Sequence, residues 1–214
     1  MNDTYRTPAA PVRVKVPVGA CRFIASLSPA ASEAEARGFV DAVTREFSDA
    51  NHNAFAYKIG HGDGALRRFS DAGEPQNTAG PPMLDVLDKY NLTQLVVVGT
   101  RYFGGVKLGV GGLVRAYRSC AEEAVKAARI ETRYFSRVLH VQVPYKHVGS
   151  ALREVEALKG KVEKIQYGAQ VLVTAVVREK YIPLFEKRLR DSSRGQARIT
   201  GSRVMGAREG RDES

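Results

Sequence analysis

The stretch LVVVGTRYFGGVKLGVGGLVRAYRSCAEEAVKAA, from Leu95 to Ala128, decides how the fold of this chain is interpreted. It begins with a continuous apolar run, Leu95 to Val98, which is typical of a strand buried on both faces. After Gly112 the apolar residues recur at three- and four-residue steps, as they do on the buried side of a helix. The stretch therefore predicts a strand, a glycine-rich loop and a helix, in that order.

The loop between this strand and this helix predicts an anion-binding site. It would bring backbone N–H groups and the positive end of the helix dipole to one point flanked by cationic side chains. The predicted anion- or nucleic-acid-binding residues are Arg101, Gly105, Lys107, Gly109, Gly111, Gly112, Arg115 and Arg118. Glycines also serve turns, and an arginine near a helix start is commonly a solvated side chain, so a purely structural loop is the alternative.

The loop does not match the standard nucleotide-binding motifs. Gly104 and Gly109 have the spacing of a P-loop, but Val110 and Gly111 occupy the positions of its lysine and hydroxyl residue. The segment GVGGLV also lacks the final glycine or alanine of the dinucleotide fingerprint. No cofactor is therefore predicted.

Charge and composition favour a polyanionic partner in the cytosol. The 214-residue chain has a net charge of +10; up to Arg133 it carries 17 Lys+Arg against 14 Asp+Glu, and from Tyr134 onward 16 against 9. A basic balance of this kind favours RNA as the partner.

No apolar run approaches the roughly 18 residues of a membrane helix, and the N-terminus lacks the layout of a signal peptide, so we expect a cytoplasmic protein without a membrane partner. Cys21 and Cys120 have no metal or redox spacing and are expected to be free thiols.

The residues before the central strand predict two further strand pairs and two helices. Residues 1–11 are polar and proline-rich and are expected to be disordered or loosely attached. Alternation then predicts strands from Val12 to Val16 and from Arg22 to Leu27, and a second pair from Asn53 to Ile59 and from Leu66 to Phe69. Ser32 and Glu35 form a capping-box pattern for a helix that runs to about Asp49, and Pro81 or Pro82 fits the first turn of a short helix.

A long polar loop, from Ser70 to Pro82, is the second candidate functional segment. Long ordered loops in compact domains often carry function, and Glu74 is the most suggestive carboxylate in this one. The residues expected around a cleft here are His52, Ser70, Asp71, Glu74 and Thr78. The sequence supplies neither a nucleophile nor an acid for Glu74, so a structural carboxylate is favoured over a general base and no catalytic residue is assigned. The four histidines lack metal-ligand spacing, so no metal site is predicted.

From Tyr134 the periodicity restarts and predicts a second domain. The order of elements is strand, helix, strand, strand, helix, strand, which is the ferredoxin-like plan. We therefore expect a first domain over residues 1–133, a second over 134–205, and a disordered tail over 206–214.

Three segments resemble the YigZ/IMPACT family: NHNAFAYKIG, SDAGEPQNTAGPPMLDVL and VVVGTRYFGGVKLGVGGLVRAY. The family wording for the last two is DDGEP-x-GTAG-x-P and TRYFGG-x-KLG-x-GGLVRAY. The resemblance implies an α+β protein, with a ribosomal-protein-like first domain (similar to domain 2 of protein S-five) as an α/β sandwich, and a second domain similar to the last domain of elongation factor G. The acidic loop departs from the family at Ala72, Gln76, Asn77 and Pro81, and the glycine loop is intact.

The resemblance also implies a function, because eukaryotic relatives regulate translation through protein partners. We expect a regulatory protein that binds RNA or a component of the translation machinery. One alternative is an enzyme that acts on a phosphorylated or anionic small molecule in a cleft between the Ser70–Thr78 loop and the glycine loop. The other is a regulator that binds only protein.

Overall fold

The computed structural model describes residues 3–61 and 64–204, and its chain divides into two compact units. One unit runs from Tyr5 to Arg133, and the other begins at Tyr134 and includes Asp3 and Thr4. The tail predicted to be disordered, residues 206–214, lies outside the described residues.

The first unit is built from strands and three helices. Its elements are β1 (Thr4–Pro8), β2 (Val12–Val18), β3 (Cys21–Pro29), α1 (Glu33–Glu46), β4 (His52–Ile59), β5 (Leu66–Ser70), α2 (Gly80–Lys89), β6 (Leu95–Tyr102), α3 (Gly109–Ala127) and β7 (Ile130–Tyr134). Five of the strands form an antiparallel sheet in the order β2-β3-β6-β4-β5. The apolar run that starts at Leu95 therefore occupies the central strand, as predicted.

Helices cover both faces of this sheet. Val97 and Ala56 pack with α2 and α3 in the main core, whereas their neighbours Val96 and Tyr57 pack with α1 on the other face. Burial on both faces explains why the central strand is continuously apolar. Ser32 caps α1 by accepting a hydrogen bond from the Glu35 backbone N–H at 3.2 Å, as the capping-box pattern predicts.

The N-terminal segment differs from the sequence prediction. The sequence predicts that residues 1–11 are disordered or loosely attached, but Thr4–Pro8 forms β1 and pairs with β7 in a two-stranded sheet. Thr7 is buried, and its hydroxyl donates a hydrogen bond to the Gln94 carbonyl at 2.9 Å. The prediction is therefore wrong for this segment, because the pairing partner lies more than a hundred residues away in the sequence.

The second unit has the predicted ferredoxin-like order. Its elements are β8 (Ser136–Val143), α4 (Val148–Ala157), β9 (Lys161–Gln166), β10 (Val171–Arg178), α5 (Ile182–Ser192) and β11 (Arg198–Val204). The antiparallel sheet order is β11-β8-β10-β9, which places the first and third strands at the centre. Both helices pack on one face of the sheet around a core of aliphatic residues and Phe185. The α+β class is confirmed.

None of the helices in the described residues is long and apolar enough to cross a membrane.

Candidate functional site

The two candidate functional loops of the sequence meet at one end of the five-stranded sheet. Strand β6 ends at Tyr102 and leads into the glycine loop, which we define as Phe103–Leu108, before α3 begins at Gly109. In the sheet register, Arg101 lies opposite His52 of β4 and opposite Phe23 of β3. The loop between β5 and α2 returns to the same end of the sheet, where His52 Nδ1 lies 2.9 Å from the Ala72 carbonyl.

Asp71 folds the loop between β5 and α2 and caps the helix that follows. Its Oδ1 accepts hydrogen bonds from the backbone N–H groups of Ala79 and Gly80, both at 2.9 Å, and its Oδ2 accepts one from Asn77 at 2.7 Å. A carboxylate at this position also interacts favourably with the positive end of the α2 dipole. Asp71, predicted as a cleft residue, is therefore engaged with the loop backbone.

Ser70 and Thr78 make further bonds within the same loop. The Ser70 hydroxyl accepts a hydrogen bond from the Ala72 N–H at 3.1 Å, and the Thr78 hydroxyl donates one to the Pro75 carbonyl at 2.6 Å. Together with Asp71, these side chains hold the loop in one conformation and leave Glu74 directed into the protein.

Glu74 lies at the centre of a buried polar cluster, which we call the Glu74 cluster: Glu74, Arg101, Tyr117, Cys21 and His52. The side chains of Glu74 and Arg101 are only 2% and 7% exposed. Arg101 Nη1 donates to both carboxylate oxygens, at 2.9 and 3.0 Å, and the Tyr117 hydroxyl donates to Oε1 at 2.7 Å. The negative charge of Glu74 is therefore matched by a guanidinium and a phenol inside the fold.

Two more residues complete the Glu74 cluster. Arg101 Nη2 lies 3.6 Å from the Cys21 sulfur, and His52 Nε2 lies 3.9 Å from Glu74 Oε2. Arg101 Nε is buried without a hydrogen-bond partner among the described residues. Cys21 and Cys120 are both buried free thiols.

The pKa shifts in the Glu74 cluster agree with the hydrogen bonds that Tyr117 and Arg101 donate. Burial raises the pKa of Tyr117, and the adjacent Glu74 charge raises it further, so the phenol stays protonated and donates. Burial lowers the pKa of Arg101, but its bonds to Glu74 and Cys21 outweigh that effect and leave the pKa raised. Arg101 and Glu74 thus form a buried ion pair, of the kind whose disruption is costly.

Gly99 makes room for Tyr117. A Cβ atom at Gly99 would lie 2.9 Å from two carbons of the Tyr117 ring and 3.0 Å from the Met83 sulfur. The phenol can therefore cross the central strand to reach Glu74 only because this position has no side chain.

The residues predicted to bind an anion fall into two groups. Arg101 does not stand free beside the glycine loop, as the sequence suggested, because its guanidinium is buried against Glu74. The side chains of Lys107, Arg115 and Arg118 are exposed, and Arg118 lies 3.5 Å from an Asp85 oxygen. The charge available to an external anion near the glycine loop therefore comes from Lys107 and Arg115.

The predicted glycines shape the connection between β6 and α3. Gly105 and Gly109 have φ values of 86° and 68°, in the left-handed region that favours glycine, and Gly111 and Gly112 lie in the first turn of α3. No side chain caps this helix start by a hydrogen bond within the described residues. The first N–H groups of a 19-residue helix thus lie beside Lys107.

Sequence reasoning missed Tyr117, Cys21 and Gly99. Tyr117 fits the three- and four-residue spacing of the apolar side of α3 and is buried there, but a buried tyrosine needs a partner for its hydroxyl. The buried hydroxyl was the signal that a polar partner must exist. Identifying the partner requires knowing which loop packs over the helix. Among the described residues, no group of three or more His, Cys, Asp or Glu side chains could hold a metal ion.

Comparison with known proteins finds a family model and several relatives that match this chain. A family model described as the Impact N-terminal domain matches residues 20–125, which include the central strand, the glycine loop and nearly all of α3. The match also includes every member of the Glu74 cluster.

Two curated proteins and one solved structure are similar over nearly the whole chain. "IMPACT family member YvyE" of Bacillus subtilis (strain 168) is 34% identical over 93% of this chain and 91% of its own length. "IMPACT family member YigZ" of Escherichia coli (strain K12) is 31% identical over 92% of this chain and 97% of its own length. A crystal structure of a protein described as hypothetical has a TM-score of 0.71 and 31% identity, and the match covers 93% of this chain and 97% of that one.

Proposed function

Because the chain belongs to the IMPACT family, we propose that it is a translation-associated regulatory protein that binds RNA or a component of the translation machinery. The observation that carries this proposal is an exposed cationic surface at the start of α3. We call it the glycine-loop surface and define it as the loop Phe103–Leu108 with Gly109–Arg115.

The charge of the glycine-loop surface is free to meet a ligand. Lys107 and Arg115 are exposed, and within the described residues neither forms an ion pair. The uncapped N–H groups of α3 add the positive end of its dipole. A polyanion that reaches this surface therefore meets two side-chain charges and a set of backbone donors without displacing an internal partner.

The same surface also presents large apolar side chains. Phe103, Val106 and Val110 are among the exposed large hydrophobic residues of the chain, and all three lie within the glycine-loop surface. Aromatic and aliphatic side chains interleaved with cations suit an RNA or an RNA–protein surface, because bases and phosphates require both kinds of contact.

Glu74 has a supporting part in this proposal. Its carboxylate holds Arg101, the residue two positions before Phe103, and Cys21 Sγ lies 4.0 Å from the Val106 carbonyl of the glycine loop. The Glu74 cluster therefore lies beside the point at which the glycine loop leaves strand β6. A carboxylate that is 2% exposed and already accepts bonds from Arg101 and Tyr117 is suited to anchoring, whereas a general base must reach a substrate proton.

The proposal is tested by removing the two free charges. Lys107→Ala/Arg115→Ala should weaken binding of a fluorescein-labelled oligouridylate and cosedimentation with ribosomes, and it should flatten the salt dependence of RNA binding. The loss of two phosphate contacts to a single strand changes the log–log slope by about 1.4 as an upper guide. Fluorescence anisotropy at a series of salt concentrations measures both quantities.

The matched control removes two exposed arginines from the opposite face of the sheet. Arg37→Ala/Arg45→Ala changes the net charge equally but lies on α1, which packs against the face away from α3. The proposal predicts that this variant keeps nearly wild-type binding. If the two double variants lose the same amount of RNA and ribosome binding, or neither loses any, the glycine-loop surface has no specific part in it.

A further inference from the structure

The second unit leaves one face of its sheet uncovered by its own helices. Val141, Val143, Val171 and Val173 pack into the core beneath α4 and α5. Because successive residues of a strand point to opposite faces, the residues between them lie on the other face. We call this the open face and define it by these residues, which the strand register aligns: His140, Gln142, Lys164, Gln166, Leu172, Thr174 and Arg198.

The register arranges the open face in rows across the sheet. Leu172 of β10 lies opposite Gln142 of β8 and Gln166 of β9, and Arg198 of β11 lies on the other side of Gln142. In the next row, Thr174 lies between His140 and Lys164. Apart from Leu172, these two rows are therefore polar, and cations occupy both edges.

Charge on these four strands is strongly one-sided. They carry six Lys or Arg residues and a single acidic residue, Glu163, which lies at the bulge of β9. Of the six cations, Arg137 lies on the helix side of β8 and pairs with Glu179, so it does not belong to the open face. Lys161 and Lys164 are exposed and have no ion-pair partner within the described residues. Arg198 crosses toward the centre and donates two bonds to Gln142 Oε1, at 3.1 and 3.2 Å. Such a face attracts phosphate groups.

Two exposed tyrosines lie at the same end of the sheet as the row through Leu172. Tyr145 follows β8 and is 58% exposed, and Tyr167 follows β9 and is 71% exposed. Their ring centroids are 6.2 Å apart with an interplanar angle of 26°, and the Tyr145 hydroxyl donates to the Gly168 carbonyl at 2.9 Å. The pair is thus held in place by the fold while its rings remain largely in solvent.

We propose that the open face and the Tyr145–Tyr167 pair form a binding surface for single-stranded RNA, which rests on the proposed function and names its ligand class. Unpaired bases stack on the exposed rings, and the backbone phosphates follow Lys164 and Arg198. Duplex RNA is disfavoured, because its bases are already stacked inside the helix and offer the tyrosines nothing to contact. This surface belongs to the second unit and shares no residue with the glycine-loop surface.

The first experiment removes the rings from the full-length protein. Tyr145→Ala/Tyr167→Ala should weaken binding of a labelled oligouridylate by about tenfold or more, as expected for losing aromatic stacking. Tyr145→Phe/Tyr167→Phe keeps the rings and should retain nearly wild-type affinity. Binding of a labelled RNA duplex should be weaker than that of oligouridylate and unaffected by either pair of changes. Circular dichroism of each variant verifies the fold. If the alanine variant unfolds, the Lys164→Ala/Arg198→Ala variant of the second experiment tests the surface independently.

The second experiment removes the charge. Lys164→Ala/Arg198→Ala should reduce the log–log salt slope for oligouridylate by about 1.4 as an upper guide. Arg153→Ala/Lys187→Ala removes two exposed cations from α4 and α5, on the helical side of the same unit, and should leave the slope unchanged.

The outcomes separate this inference from the proposed function. If oligouridylate binding falls with Lys107→Ala/Arg115→Ala but not with the tyrosine or Lys164→Ala/Arg198→Ala changes, the proposed function stands and the open-face surface is refuted. If the reverse holds, the open face binds RNA and the glycine-loop surface does not. A wild-type protein that binds neither RNA overturns the open-face proposal, and ribosome cosedimentation then decides the proposed function alone. Equal affinity for duplex and single strand also refutes the open-face proposal.

Discussion

Neutralising Glu74 should unfold the first unit under conditions in which the wild type is folded. In Glu74→Gln the side chain keeps its size, but Arg101 remains positively charged and buried without a counter-charge. The new amide keeps one acceptor oxygen and carries N–H donors in place of the other, so at least one of the bonds donated by Arg101 or Tyr117 loses its acceptor. Removing one partner of a buried ion pair typically costs about 3–5 kcal/mol of folding free energy.

The expected cost can be checked against the separate contacts of Glu74. The Tyr117 bond is a hydrogen bond to a charged group, and such bonds contribute about 1.5–3 kcal/mol each. Tyr117→Phe should lose that amount alone, because its ring still packs edge-on against Phe23 at 5.2 Å. Glu74→Gln should therefore be more destabilising than Tyr117→Phe. For a unit of this size, a loss of about 4 kcal/mol lowers Tm by roughly 10–20 °C.

The measurement is urea denaturation of the full chain, followed by circular dichroism. Glu46→Gln is the control, since its carboxylate pairs with Arg13 at 2.5 Å on the exposed side of the same unit. That variant should shift the midpoint far less than Glu74→Gln does, because Arg13 and Glu46 are about half exposed and an exposed ion pair contributes at most about 1 kcal/mol. In addition, Glu74→Gln/Arg101→Met should be less destabilised than the sum of its single changes, because it leaves no unpaired charge.

Two results would refute the anchoring role of Glu74. One is a Glu74→Gln midpoint as close to wild type as that of Glu46→Gln. The other is strict additivity in the double variant. If Glu74→Gln kept its stability but abolished turnover of a phosphate ester or nucleotide, the enzyme alternative would replace the anchoring interpretation.

Three further predictions follow from the packing of the first unit. Gly99→Ala should lower the free energy of unfolding by about 1–3 kcal/mol, because its methyl group would lie 2.9 Å from the Tyr117 ring. The control Gly38→Ala, at an exposed helical position, should raise the free energy of unfolding by about 0.5–1 kcal/mol. Equal urea midpoints for the two variants would contradict this prediction. Burial raises the pKa of Cys120 from 9.0 to about 12. Between these pH values the thiol loses its proton in the unfolded state but keeps it in the folded state. The free energy of unfolding should therefore fall by up to about 1.4 kcal/mol per pH unit as the pH rises. Cys120→Ala should remove that part of the slope, and an unchanged slope would show that the thiol does not contribute. The fragment 5–133 should unfold cooperatively by itself, since it contains the whole main core, and a gradual loss of its circular dichroism signal would contradict the predicted boundary at Tyr134.

The sequence predicted the elements that have strong local periodicity. The continuous apolar run at Leu95 became the central strand, and the three- and four-residue steps after Gly112 became α3. The strand and helix order of the second unit was equally clear, because its alternation and helical steps are both regular. In each case the residues that form the element also carry its burial pattern.

Features that depend on distant residues were not predictable in the same way. Strand β1 contains five residues with a proline, and it forms because β7 supplies its partner. The Glu74 cluster joins side chains that are 27 and 43 positions apart, from a loop, a strand end and a helix. No local pattern states that these elements meet, so Glu74 could be singled out but its partners could not.

The departures of the acidic loop from the family wording have structural explanations at two positions. Asn77 stands where the family has glycine and has a φ of 62°, and asparagine tolerates the left-handed region better than most residues. Pro81 lies in the first turn of α2, where a missing N–H costs nothing. Ala72 has a φ of 47°, and its carbonyl lies against His52 Nδ1, so its contribution to the site comes from the backbone. Nothing in the structure explains Gln76.

The direction in which each motif residue points separates two roles that the sequence presents together. Arg101 and Lys107 are six residues apart in one motif, yet Arg101 is buried in an ion pair and Lys107 is exposed without one among the described residues. Substitution of the buried residue must change the unfolding midpoint before it can change binding, since the loop rests on that cluster. Substitution of the exposed residue should change binding at constant midpoint. If the glycine-loop surface binds a ligand as proposed, its outward residues can be substituted without loss of the fold, provided that Glu74, Arg101 and Tyr117 keep the loop in place.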